Sequence, residues 1–245
     1  MSNPSTDMPV IRFGGYALVG GAVAFLAVFT YLAAVFNYPE VLDGRAADVL
    51  PALLATGDTG RAVWAFYALL PLCWIPAGVA AFHALRGRSD GVMRIASLFA
   101  FLSAITMIAG LIRWPSFHWE LARAWVADPA IRPELAAVFA ATNRYLGNYV
   151  GEFLGELCIG VFFLLSAVAM LKEGSGFARW IGWAGVIASA AGLMAMFRNI
   201  TPAVSLIAEV NNYVLPAWMI VFGVSLIRYR AVPVIAATTP MPAPA

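Results

Sequence analysis

Charged residues make up only 11% of this 245-residue chain, less than half the roughly 25% of a soluble domain. Hydrophobic residues make up 62%, more than a single water-soluble core of this length absorbs. Cysteine is scarce as well. Cys73 and Cys158 are the only two, which excludes a disulfide framework and any cysteine-spaced metal site. The two histidines, His83 and His118, fall toward opposite ends of the expected bundle. That excludes a haem held by two histidines and a zinc site of three protein ligands. No cofactor, no metal and no catalytic residue is therefore assigned. The sequence also lacks a phosphate-binding loop, a dinucleotide fingerprint, a His-Glu-x-x-His helix and a Gly-x-Ser-x-Gly elbow. The net charge of +2 is dispersed, without the basic block of a nucleic-acid partner.

What the chain does have is long apolar runs. Six of them lie at about residues 14–36, 63–84, 94–113, 146–171, 180–197 and 213–229, each near the ~20 residues that cross a bilayer. Backbone groups in lipid must be satisfied internally, which leaves helices or a closed barrel. The runs are continuous rather than alternating, so they predict helices. The expected fold class is all-α: a polytopic membrane protein with six transmembrane helices. A polar leader is expected over 1–11, the membrane domain over 12–230 and a disordered Pro/Ala-rich tail over 231–245. The apolar run after Asp7 and Arg12 is too long for a cleavable signal, so a retained first helix is expected.

A weak repeat orders the six spans as three tandem hairpins. Arg12, Arg94 and Arg179 precede the odd-numbered spans, 82 and 85 residues apart. Those spans end in Asn37-Tyr38-Pro39, Arg113-Trp114-Pro115 and Arg198-Asn199-Ile200-Thr201-Pro202. Two even-numbered spans begin alike, Tyr67-Ala-Leu-Leu-Pro71 and Tyr213-Val-Leu-Pro216. Basic residues in short turns, such as Arg86 to Arg94 and Lys172 to Arg179, are expected to place both termini in the cytoplasm. The three outer connections carry apolar stretches with cap signals: Ser116, Asp128, Pro133 and Thr201-Pro202. They predict amphipathic surface helices lidding the bundle. Trp119, Trp125, Phe139 and Tyr145 in the second connection suit an interfacial position.

The candidate site lies at the outer end. Asn148, Glu152 and Glu156 recur four apart on the fourth span and form one polar stripe. A carboxylate in a bilayer is costly, so it has a partner and a reason. Arg113, Arg144 and Arg198 are the expected partners. Glu209, Asn211 and Asn212 precede the last span and are expected nearby, as is Asn37. Gly151 and Gly155 let a second helix come close. Arg113, Asn148, Glu152, Glu156, Arg198 and Glu209 are thus the candidate ligand-binding residues, with the arginines holding anionic groups and the acids balancing them or binding cations.

Three stretches carry a family likeness: Tyr38-Pro39-Glu40-Val41-Leu42, Arg113-Trp114-Pro115, and Gly147-x-x-x-Gly151-Glu152-x-x-Gly155-Glu156. Together they resemble a bacterial six-helix membrane family called domain of unknown function 4386. The resemblance implies a six-helix integral membrane protein and assigns no activity and no functional residue. The expected function is binding of a small molecule or lipid headgroup in an outward-facing polar cavity, as sensor, carrier or accessory subunit. Two alternatives stand beside it. One is an intramembrane enzyme acting on a lipid with Glu152 and Glu156 as acid and base. The other is a structural subunit whose charges lock the bundle. Expected partners are membrane lipids, a small-molecule ligand, and a second copy or another membrane protein.

Overall fold

The computed structural model describes residues 4–230. Among them there are helices and turns and no strands. The tail expected to be disordered, 231–245, lies outside the described residues.

Six helical spans are long and apolar enough to cross a membrane. The first is α1 (Pro4–Phe36), which reaches back through Arg12 and Asp7 into the expected leader. After a 3₁₀ turn at Glu40–Asp43 comes the short α2 (Ala46–Ala55). The second span is broken. It runs as α3 (Gly57–Leu69), a 3₁₀ turn over Leu70–Cys73, and α4 (Trp74–Leu85). Pro71 explains the break, because proline lacks the N–H that would continue the ladder. The third span, α5 (Asp90–Leu111), leads into α6 (Phe117–Ala127) and α7 (Arg132–Thr142). Helix α7 then continues without a turn into a π-helical stretch, Asn143–Leu154, and α8 (Gly155–Met170). The last two spans are α9 (Arg179–Ala195) and α10 (Ser205–Ile227).

The spans form a ring in chain order. Helix α1 packs on α4, α4 on α5, α5 on α8, α8 on α9 and α9 on α10, and α10 closes against α1. Consecutive spans therefore pair as hairpins, as the repeat predicts. One end of the ring, here called proximal, carries both ends of the described chain. There Arg86 binds Asp7 at 2.6 Å, and Phe177 stacks on Tyr229. The proximal half of the ring is filled. Phe163 stands at its centre, edge-on to both Trp74 and Trp218, among buried Leu18, Phe162 and Phe222.

The distal end carries a lid with its own core. Helices α2, α6 and α7 pack together over Leu32, Phe36 and Trp64, burying Val49, Leu50, Leu53 and Phe139. Trp119 and Trp125 are buried inside this layer, whereas Tyr145 is exposed. The interfacial position expected of Trp119, Trp125 and Phe139 is thus not theirs: the apolar faces of the short helices turn inward and take the two tryptophans and Phe139 with them. Arginines clamp the lid. Arg61 lies over the Trp119 ring and donates to the Pro115 carbonyl, and Arg132 lies over Trp125 and donates to its carbonyl.

The cap signals act in part. Asp128 and Thr201 accept from the backbone two residues on, whereas Ser116 donates to the Ile112 carbonyl behind it instead of capping α6. The third connection has no separate surface helix. Thr201 and Pro202 start a 3₁₀ turn that runs straight into α10, since no breaker intervenes. The last span therefore begins two turns earlier than its apolar run.

Candidate functional site

Between the filled proximal half and the lid, the ring encloses a cavity of about 150 Å³. A pocket of about this size, when apolar, accommodates a benzene-sized molecule. Trp74 and Met219 line its floor. Its lining combines aromatic and charged side chains.

The charged wall starts with the helix that supplies it. In a π segment the hydrogen bonds close i→i+5, so a turn takes more than four residues and positions four apart stay nearly in line. Asn143, Gly147 and Gly151 are accordingly all buried. The glycines let α5 come close: a Cβ at Gly110 would sit 2.6 Å from the Gly151 Cα. That face is held, and Glu152 and Glu156 turn toward the cavity and α9. Arg198 follows α9 on a 3₁₀ turn over Met196–Asn199. It meets both acids, Nη1 to Glu156 Oε1 at 2.6 Å and Nη2 to Glu152 Oε2 at 3.1 Å. Asn199 Nδ2 adds a 2.6 Å bond to Glu152 Oε2 and a longer one to the Asn148 carbonyl. The other carboxylate oxygen of Glu156, Oε2, is buried and has no hydrogen-bond partner among the described residues.

Arg113 takes a different partner from the one expected. Its Nε and Nη2 donate to Asn143 Oδ1 at 3.2 and 3.0 Å, and its Nη1 donates to the Gly110 carbonyl. The guanidinium lies 4.9 Å over the Trp114 ring and against Gly147, where a Cβ would overlap it. Asn143 Nδ2 passes the connection on to the Leu42 carbonyl at 2.7 Å, which ties the first connection to the fourth span.

The aromatic wall is a stacked and edge-on cluster. Trp64 stacks on Trp114 at 5.0 Å, and Tyr38 meets Trp64 edge-on. The Tyr38 and Tyr67 hydroxyls are 3.2 Å apart. Burial raises the Tyr38 pKa, so its hydroxyl stays protonated. Asn211 contributes to the lining from α10, and its Oδ1 is buried without a partner among the described residues.

The structure thus brings Arg113, Glu152, Glu156 and Arg198 to one cavity. Asn148 is not among its lining residues, and its carbonyl accepts from Asn199. Glu209 is not among them. It is exposed on α10 beside Val210 and Tyr213, because the early start of that helix fixes it on the outward face. Arg144 is exposed. Asn37 is exposed too, in a left-handed turn at φ 50°, and its neighbour Tyr38 reaches the cavity instead. His118 is fully buried under the lid between Trp114 and Phe139. Burial, then the Arg113 charge, lowers its pKa to about 3, so it is neutral. Cys73 and Cys158 are free thiols, and no metal-holding cluster occurs among the described residues. Sequence reasoning missed Asn143, Asn199 and the aromatic wall. Asn199 carried a signal, its place beside Arg198 in an apolar run. Asn143 carried none, since it fell in an expected loop.

No curated protein and no solved structure matches the chain. A family model does, over residues 14–237, nearly the whole membrane domain. The chain belongs to the family described as domain of unknown function (DUF4386).

Proposed function

We propose that this is a multi-pass protein of the bacterial inner membrane that binds a small molecule in its central cavity. The cavity faces outward and both termini are cytoplasmic, so the protein works as a sensor, carrier or accessory subunit. One observation supports this above others: the cavity wall holds more polar groups than the bundle's own pairing uses. A purely structural clamp would satisfy its acids, as Arg198 does in part, and would need no chamber beside them. Here Glu156 Oε2, Asn211 Oδ1 and the indole N–H groups of Trp64, Trp74 and Trp114, all on cavity-lining residues, have no partner among the described residues, and leaving such groups without partners costs roughly 1–3 kcal/mol each.

The test is access from water. Asn212 lines the cavity and is half-buried. With Cys73→Ser and Cys158→Ala removing the native thiols, Asn212→Cys should react in intact cells with a small, membrane-impermeant thiol reagent. Reaction only after the inner face is exposed would reject the outward orientation. Reaction only after denaturation would reject a ligand-accessible cavity.

A further inference from the structure

The charge balance of the cavity narrows the ligand class, given the binding reading above. Among the described residues its charged lining is Arg113 and Arg198 against Glu152 and Glu156, a formal sum of zero. Each of the four is engaged within the protein. Arg198 pairs with the two acids at 2.6 and 3.1 Å. Arg113 donates to Asn143 and to the Gly110 carbonyl and lies over the Trp114 ring. A ligand with a net charge would leave water for a site that holds no opposite charge in excess, and burying a charge without a partner is costly. The unpaired polar atoms of the lining residues favour neither sign. They are donors on Trp64, Trp74 and Trp114 and acceptors on Glu156 and Asn211. The rest of the lining is dominated by rings: Phe25, Tyr38, Trp64, Tyr67, Trp74 and Trp114. Aromatic side chains attract a further ring in stacked or edge-on contact. The volume, about 150 Å³, takes one such ring and no acyl chain.

We infer that the cavity binds a small uncharged aromatic molecule, a single ring with one polar substituent such as an amide or a hydroxyl. The ring lies among the aromatic side chains, and the substituent faces the Arg–Glu cluster. The two arginines then serve the charge balance of the site and do not hold an anionic ligand.

Three probes share one shape and differ in charge: benzamide, benzoate and benzamidinium. Phenol is a smaller neutral ring. The experiment titrates each at neutral pH into the full-length protein in nanodiscs of phosphatidylcholine, whose headgroup carries no net charge. The readout is tryptophan fluorescence, since Trp64, Trp74 and Trp114 all line the cavity. Benzamide and phenol should bind about tenfold or more tighter than either ion. Glu152→Gln and Glu156→Gln each leave one positive charge in excess, so in both variants benzoate should gain on benzamide by about tenfold. Leu215 lines the cavity, and Leu215→Phe, which fills part of it, should weaken binding of both neutral probes. A wild-type preference for benzoate or benzamidinium overturns the neutral ligand and leaves the cavity reading intact. So does a lack of response to all four probes in a protein whose Asn212→Cys variant is labelled. Failure of that labelling as well rejects the binding reading itself. A preference for benzamide that neither glutamine variant moves toward benzoate shows that charge balance does not set it, and overturns the inference. An equal response in wild type and Leu215→Phe places the rings outside the cavity and overturns it too.

Discussion

Arg198 donates with one η nitrogen to Glu156 and with the other to Glu152, so a single cation pairs with two acids inside the ring. Removing one acid leaves the other paired, whereas removing the arginine leaves two like charges side by side. Breaking one partner of a buried pair costs roughly 3–5 kcal/mol. The Arg198 side chain keeps 29% of its accessible surface, so the loss belongs at the lower end of that range. Arg198→Met should thus destabilise the protein by about 3 kcal/mol. Glu152→Gln should cost least, because a glutamine oxygen still accepts from Asn199 and Glu156 still holds Arg198. Thermal unfolding in detergent, followed by size-exclusion chromatography, gives the order; equal losses for Arg198→Met and Glu152→Gln would show that Arg198 is not shared. This clamp was legible in the sequence, because charged residues in apolar spans four apart are rare and must pair. The partner of Arg113 was not legible. Its acceptor is an asparagine amide, a residue type that any loop contains, and only the fold brings Asn143 under the guanidinium.

The elements show the same division. Six spans, their order and the short lid helices follow from apolar runs and caps, which are local signals. The breaks within them follow less directly. Pro71 interrupts the second span with a 3₁₀ turn, yet Pro216, at the matching place in the proposed repeat, sits inside a continuous α10. The π stretch over Asn143–Leu154 has no sequence signature at all. It does have a structural companion, the approach of α5 at Gly110 and Gly151, where a Cβ on Gly110 would stand 2.6 Å from one backbone atom and 3.0 Å from another, the Leu146 carbonyl oxygen. Backbone cannot rotate aside as a side chain can, so Gly110→Ala should cost near the upper end of the ~1–3 kcal/mol typical of overpacking. Gly20→Ala is the control. Nothing lies within 4 Å of its Cβ position, and replacing a helical glycine gains up to about 1 kcal/mol. Comparing the two thermal midpoints checks the prediction, and a Gly110→Ala variant as stable as Gly20→Ala would mean that α5 and the π segment are not in backbone contact.

At the scale of the whole molecule the decisive contact is the one that closes the ring. Five of the six helix pairings join neighbours in sequence, and a hairpin pattern predicts the three within hairpins. The sixth joins the first span to the last, and nothing local in the chain announces it. The glycine pair Gly14-Gly15 is recognisable as a packing point, but its partner is not. In the structure Gly15 and Gly223 meet reciprocally: a Cβ on either would come within 2.6–2.7 Å of the other's carbonyl oxygen. The cavity depends on this seam, because Gly21 and Phe25 line it from α1 and Asn211 and Leu215 from α10. Each of Gly15→Ala and Gly223→Ala should therefore lower stability by about 1–3 kcal/mol. The two losses should not add. The first methyl already forces α1 and α10 apart, and the second enters a gap that has been opened, so residues sharing one contact should couple by roughly 0.5–3 kcal/mol. Unfolding midpoints of the two single variants and the double variant measure that coupling. If the double variant loses the full sum, the two glycines do not face each other, and the ring is not closed where the cavity requires it to be.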